Sequence, residues 1–256
     1  MKFSKINLAI DNRVARITLN APPNNIIDTQ MMEEITSAIE SVEKNNPEIF
    51  LLLFDGAGQK AFSSGVEIRE HTPELVPKML TSFHKIFRQL IESRFLTLSA
   101  VHGHCLGGGF ELAVFCDFVI AEEGASFGLP EIKLACFPPV AVALLPELIG
   151  RKRSDRLILT GESIDASTAH EWGLVSFICE NGKLAESQNS LLDTMRGLSV
   201  STLQLTQKLR SEWKETFLSN LEQAEKIYLE ELTKTADMNE GIDSFLKKRK
   251  PIWESK

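Results

Sequence analysis

Ile6, Leu8 and Ile10 alternate with polar residues, Asp11-Asn12 carries a turn signal, and residues 14–19 resume a strand-like pattern. A β-hairpin is expected at the start of the chain. The period then lengthens. From Asp28, a residue suited to cap a helix, Met31, Ile35, Ile39 and Val42 fall on one helical face, and the apolar run 49–54 reads as a buried strand ending at Asp55-Gly56. A second helix is expected over 73–93, with Leu80, Phe83, Phe87, Leu90 and Ile91 at helical spacing, before residues 95–101 return to a strand.

The middle of the chain alternates short strands with helices, whereas from about Leu198 onward it is charged, leucine-rich and helical in pattern. This predicts an α/β body over residues 1–195 and a helical region over 196–256, with no linker to sharpen the boundary. Trp213, Phe217, Leu221 and Tyr228 keep helical spacing and read as packing rather than as ligand contacts.

Composition narrows the function classes. The chain has 256 residues, 43% hydrophobic, and a net charge of −7. A core of this size needs neither disulfides nor metal. The longest apolar runs are far shorter than the roughly 20 residues that cross a bilayer, and the start of the chain does not read as a signal peptide. A cytoplasmic location is expected. Cys105, Cys116, Cys136 and Cys179 form no CxxC pair and read as small buried residues. An acidic balance gives no general attraction to nucleic acid, although residues 241–256 hold five basic side chains against two acidic ones.

Chemistry concentrates in three segments. In Val101-His102-Gly103-His104-Cys105-Leu106-Gly107-Gly108-Gly109-Phe110-Glu111, a strand meets three glycines and then a helical segment. That run is either a tightly packed strand-to-helix turn or a place where free N–H groups hold an oxyanion. It matches no complete phosphate-loop motif. A second turn, Ser63-Ser64-Gly65-Val66, follows the strand at 49–54, and two such donors converging on one carbonyl make an oxyanion hole. The third segment, Phe127-Gly128-Leu129-Pro130-Glu131, sets a carboxylate in apolar surroundings. His102 and His104, two apart on an expected strand, would share one face, but no third metal ligand is evident. A nucleophilic role for Cys105 or Cys136 lacks an identifiable base.

In this order, Ala61-Phe62-Ser63-Ser64-Gly65-Val66-Glu67, Gly107-Gly108-Gly109-Phe110-Glu111-Leu112-Ala113, Cys116-Asp117 and Phe127-Gly128-Leu129-Pro130-Glu131 resemble the enoyl-CoA hydratase/isomerase (crotonase) superfamily. Trp172-Gly173-Leu174-Val175 and the C-terminal Lys247-Lys248-Arg249-Lys250-Pro251 extend the likeness over nearly the whole chain. The resemblance implies a spiral of repeated ββα units, trimers or dimers of trimers formed through the C-terminal helices, and an acyl-CoA thioester as substrate, with no separate cofactor and no metal. Carried over by position, the N–H groups of Val66 and Gly108 hold the thioester oxygen. Glu111 is the expected base and Glu131 the expected acid, with exchangeable roles. The resemblance places the backbone around Ser64 and Val66 near the adenine, and Lys248 or a neighbour in the tail at the phosphate of a CoA in an adjacent subunit. The alternative for residues 247–250 is a solvated helix end.

The segment after Glu131 departs from the common pattern. Where hydratases of this family carry a glycine-rich stretch, this chain has Cys136-Phe137-Pro138-Pro139-Val140, which implies a stiffer, reshaped acyl pocket at Cys136, Phe137 and Pro138. Together with Ala21-Pro22-Pro23-Asn24-Asn25-Ile26-Ile27-Asp28, it resembles most the alicyclic dienoyl-CoA hydratases, which act on cyclohexa-1,5-diene-1-carbonyl-CoA. The alternatives are a straight-chain enoyl-CoA hydratase, an enoyl-CoA isomerase or thioester hydrolase, and a non-catalytic CoA- or RNA-binding protein of the same fold.

Overall fold

The computed structural model describes residues 3–209 and 212–255. The chain opens with β1 (Ile6–Asp11), β2 (Val14–Leu19), α1 (Thr29–Asn45), β3 (Leu51–Gly56), β4 (Ala61–Ser63) and α2 (Val76–Glu92). It continues through β5 (Leu96–Val101), β6 (His104–Leu106), α3 (Gly108–Phe115), β7 (Phe118–Glu122), β8 (Ser126–Gly128), α4 (Pro139–Ile149) and α5 (Arg151–Thr160). After β9 (Ser163–Asp165), α6 (Ala166–Glu171) and β10 (Phe177–Cys179) come α7 (Leu184–Arg196), α8 (Val200–Leu209), α9 (Glu212–Glu230) and α10 (Ala236–Leu246).

The hairpin forms because Asn12 and Arg13 both take positive φ, at 45° and 64°, the pattern of the tight turn that matches strand twist. Asp28 caps α1 by accepting the Met31 N–H at 2.9 Å. Each repeat then sends its first strand to one sheet and its second to another. β3, β5 and β7 lie side by side in the six-stranded sheet β1-β2-β3-β5-β7-β10, while β4, β6 and β8 line up in the smaller sheet β4-β6-β8-β9. The strands within each of these trios run parallel. This is the spiral of ββα units that the motif resemblance implies.

The continuous apolar run around β3 reflects burial on both sheet faces. Leu52 and Phe54 join the main core, whereas Leu51 and Leu53 point the other way, into a second cluster closed by Leu192 and Met195 of α7. The C-terminal helices share the main core: Phe217, Leu221, Tyr228, Met238 and Ile242 are buried in it with residues of the α/β body. None of the helices among the described residues is long and apolar enough to cross a membrane.

One expectation changes. His102 and His104 do not share one strand, because Gly103, at φ 57°, turns the chain between β5 and β6. His104 is held by Ser126 at 2.9 Å. Within the basic C-terminal run, Arg249 pairs with Glu240 and Asp243, and Lys247 pairs with Asp243 at 2.8 Å.

Candidate active site

The first glycine turn is fixed from below by Asn25. This fully buried residue accepts the Ala21 N–H and donates to the carbonyls of Ala57 and Ala61, both at 2.9 Å. Ser63 Oγ donates to the Asn25 carbonyl at 2.8 Å and accepts the Gly65 N–H at 3.1 Å. A parallel bridge then joins the turn to Ile27, using the Gly65 carbonyl and the Glu67 N–H. In a parallel bridge the intervening residue faces the other way, so the Val66 N–H is left out of this pairing.

The second turn supplies a helix start. Gly107 precedes α3 at φ 53° with no side-chain cap, and Gly108 is the first helical residue, whose N–H has no carbonyl within the helix to bond. The glycines are required by close approach. A Cβ on Gly107 would sit 2.7 Å from Glu131 Oε1, and one on Gly108 would sit 2.6 Å from Val66 Cγ2 and 2.9 Å from the Phe83 ring. A Cβ on Gly65 would lie 3.6 Å from the Gly108 nitrogen, so the two turns meet back to back.

Both glutamates reach the place where they meet. Glu111, on the first turn of α3, is buried, and its Oε1 accepts the Ala141 N–H at 2.8 Å. Ala141 lies in the first turn of α4, where an N–H has no carbonyl within the helix to bond, and that free donor meets Glu111. Glu131, on a short 3-10 turn at Pro130–Leu134, is only half-buried as a residue, yet its Oε2 is sealed from solvent and has no hydrogen-bond partner.

Burial pushes the Glu111 carboxyl up, against the lowering effect of the Ala141 and Val140 N–H groups. Burial also pushes Glu131 up, and the neighbouring Glu111 charge pushes it further. Two carboxyls in one dry site therefore favour retaining a proton on the pair.

One cleft, with about 550 Å³ between its walls, brings together Ser64, Val66, Gly108, Glu111, Glu131, Phe137 and Pro138. It adjoins a wider groove that also touches Ser64 and Val66 and is walled by Arg69, Lys133, Phe245 and Leu246. Two of the residues singled out from sequence stand elsewhere. Cys136 is buried behind the cleft, with its thiol pushed up to about 11 by burial, and lines neither space. Lys248 lies exposed beyond α10, outside the lining of both, although Phe245 and Leu246 of that helix reach the groove.

The opposite wall was not read as a site from the sequence. Met79, Leu80, Phe83 and His84 of α2 line the cleft, and so does Tyr228 of α9, whose ring meets Phe137 edge-on at 5.0 Å. Tyr228 is thus a cleft residue as well as a packing residue. A signal was present for His84: it is the one ionisable side chain among Leu80, Phe83, Phe87 and Leu90 on the buried stripe of α2.

The model of the enoyl-CoA hydratase/isomerase family matches residues 9–256. The cyclohexa-1,5-dienecarbonyl-CoA hydratase of Thauera aromatica is 33% identical over 253 residues, covering 98% of this chain and 97% of its own. A probable enoyl-CoA hydratase of Mycobacterium tuberculosis is 34% identical over 254 residues, covering 98% of each. Among solved structures, an enoyl-CoA hydratase/isomerase from Xanthobacter autotrophicus Py2 superposes with a TM-score of 0.87 at 29% identity, over 96% of this chain and 94% of that one.

Proposed function

The chain belongs to the enoyl-CoA hydratase/isomerase family, and within it we propose a hydratase that adds water to a double bond conjugated with a CoA thioester. The observation that carries this is the pair of buried glutamates in the cleft where the Val66 and Gly108 turns meet. A lone acid can shift a proton, but hydration needs one group to take a proton from water and another to deliver one to carbon. Glu111, held by an N–H at the start of α4, is the base. Glu131, whose Oε2 is buried without a partner, is the acid. Enolate charge that builds on the thioester oxygen is met by the N–H groups of Val66 and Gly108, each donor contributing about 3 kcal/mol.

The wider groove suits the CoA portion. Ser64 and Val66 sit between it and the cleft, and Lys133 supplies positive charge on its wall beside the Arg69–Glu67 pair. Lys248 is assigned to the phosphates of a CoA bound in an adjacent subunit of a trimer or a dimer of trimers. For the acyl group we propose an alicyclic diene, cyclohexa-1,5-diene-1-carbonyl-CoA. Phe137, Pro138 and Pro139 wall the cleft where a more flexible stretch would suit a straight chain, and the Thauera aromatica relative bears that activity in its name.

Linear and alicyclic unsaturated CoA esters, each supplied in ¹⁸O-labelled water, test both levels. Label is expected in the product, with the cyclic diene turned over fastest. A double bond that moves without label entering the product would make the protein an isomerase.

A further inference from the structure

Beyond the reacting pair, the cleft holds a second built polar group. His84 is fully buried, and its Nδ1 lies 2.6 Å from Glu225 Oε1. Glu225 is gripped in turn by Arg88, whose Nη2 reaches both carboxylate oxygens at 2.9 and 2.8 Å. The ion pair of Arg88 and Glu225 is internally neutral, so the imidazole needs no second positive charge, and its Nδ1–H donates to the carboxylate. His84 Nε2 then carries a lone pair. That atom is buried with no hydrogen-bond partner, on a residue that lines the cleft. A buried acceptor costs free energy unless it is met, and a ring braced by two further side chains is held in one orientation.

We infer that His84 Nε2 is the recognition point for a hydroxyl on the acyl group, so that the hydrated product of the proposed reaction, which carries a ring hydroxyl, meets this acceptor, whereas the diene, which has no donor, leaves it unmet. The donor requirement follows from the tautomer. A hydroxyl gives its proton to Nε2, a bare methylene leaves Nε2 unmet, and a keto oxygen opposes lone pair to lone pair. Arg88 and Glu225 are positioning residues that act through His84. This assignment rests on the proposed acyl-CoA chemistry of the cleft for the class of ligand, but it needs no hydration step.

The test is therefore binding of esters that cannot be hydrated. Calorimetric Kd values of the full-length protein are compared for cyclohexane-1-carbonyl-CoA, its ring-hydroxylated derivatives with the hydroxyl on each carbon in turn, and the matching oxo esters. At least one hydroxy ester is expected to bind about tenfold or more tighter than the plain and oxo esters. His84→Leu is expected to erase that preference and His84→Gln to keep part of it.

Glu225→Gln gives a sharper readout. With its amide oxygen on Arg88, the new side chain offers an N–H to Nδ1, which moves the ring proton to Nε2 and shifts preference from hydroxy toward oxo esters. A merely structural role for Glu225 would not produce that inversion. Equal Kd values across the three ester classes in the wild-type protein overturn the inference, as does a hydroxyl preference that survives His84→Leu. If a variant fails to fold, the wild-type series still decides. Absence of label incorporation from unsaturated esters would sink the hydratase assignment alone, leaving the binding preference readable.

Discussion

Two carboxylate clusters stand at the cleft, Glu111 and Glu131 lining it and the half-buried Glu225 behind His84, and they solve the same physical problem in opposite ways. On one side Glu111 and Glu131 face each other with backbone N–H groups but no cation, so burial and like charge raise both and a proton is retained. On the other, burial also pushes Glu225 up, but hydrogen bonds from His84 and Arg88 and the Arg88 charge outweigh it and hold the carboxyl at about 2. The first wall can exchange a proton with a ligand. The second has a fixed protonation pattern and can only present it. The difference teaches that the partners a carboxylate meets, together with how deeply it is buried, decide whether it keeps a proton or stays ionised.

Removing one member of the reactive pair is the strongest way to break that contrast. Glu111→Gln and Glu131→Gln are each expected to lower kcat for hydration by about 100-fold or more with ester binding largely kept. Unchanged turnover in both would take these residues out of the chemistry. Next in size, Gly108→Ala presses a methyl against Val66 and Phe83 at the meeting of the two turns. Strain of about 1–3 kcal/mol is expected in denaturant unfolding, with a fall in kcat because the N–H shifts.

Titration separates the walls more finely. The Glu111–Glu131 pair is expected to give a bell-shaped pH–rate profile: activity falls in acid as both are protonated, and falls again above the usual carboxylate range as both ionise. In Glu111→Gln the like charge is gone, and the Glu131 carboxyl, followed by ¹³C NMR, is expected to titrate lower than in the wild-type protein. Glu225 runs the other way. Its folded value is depressed, so its contribution to stability is whole above the unfolded carboxyl's ordinary 4.5 and is lost as pH falls toward 2. Glu225→Gln is expected to flatten acid unfolding across that window. The smallest effect is expected at Lys248→Ala, a rise in KM for the CoA ester of about two- to threefold that fades at high salt.

Much of this was legible before any coordinates. The hairpin, the Asp28 cap, the strands around 51–56 and 96–101 and the helix around α2 follow from local period and capping chemistry, which depend on residues close together in the chain. The glycine run and the two glutamates were visible as residue types with a cost or a charge that asked for a reason. The far wall was not. His84 and Tyr228 satisfy helical spacing as well as any packing residue, and their place in the cleft depends on α2 and α9, which are separated by more than 100 residues. The ion pairs of Arg249 with Glu240 and Asp243 were likewise out of sight, because they form only when α10 and the segment after it fold together.

The sequence by itself determined the α/β repeat, the family, and the two glycine turns and two acids proposed for the chemistry, because those are properties of short segments and their order. Only the tertiary structure decided that the Ala141 N–H at the start of α4 holds Glu111, that Glu131 Oε2 is left without a partner, and that His84, braced by Glu225 and Arg88, lines the same cleft. Those facts are distances and burial between segments remote in sequence, and a residue's charge state in a dry interior is set by what the fold places against it.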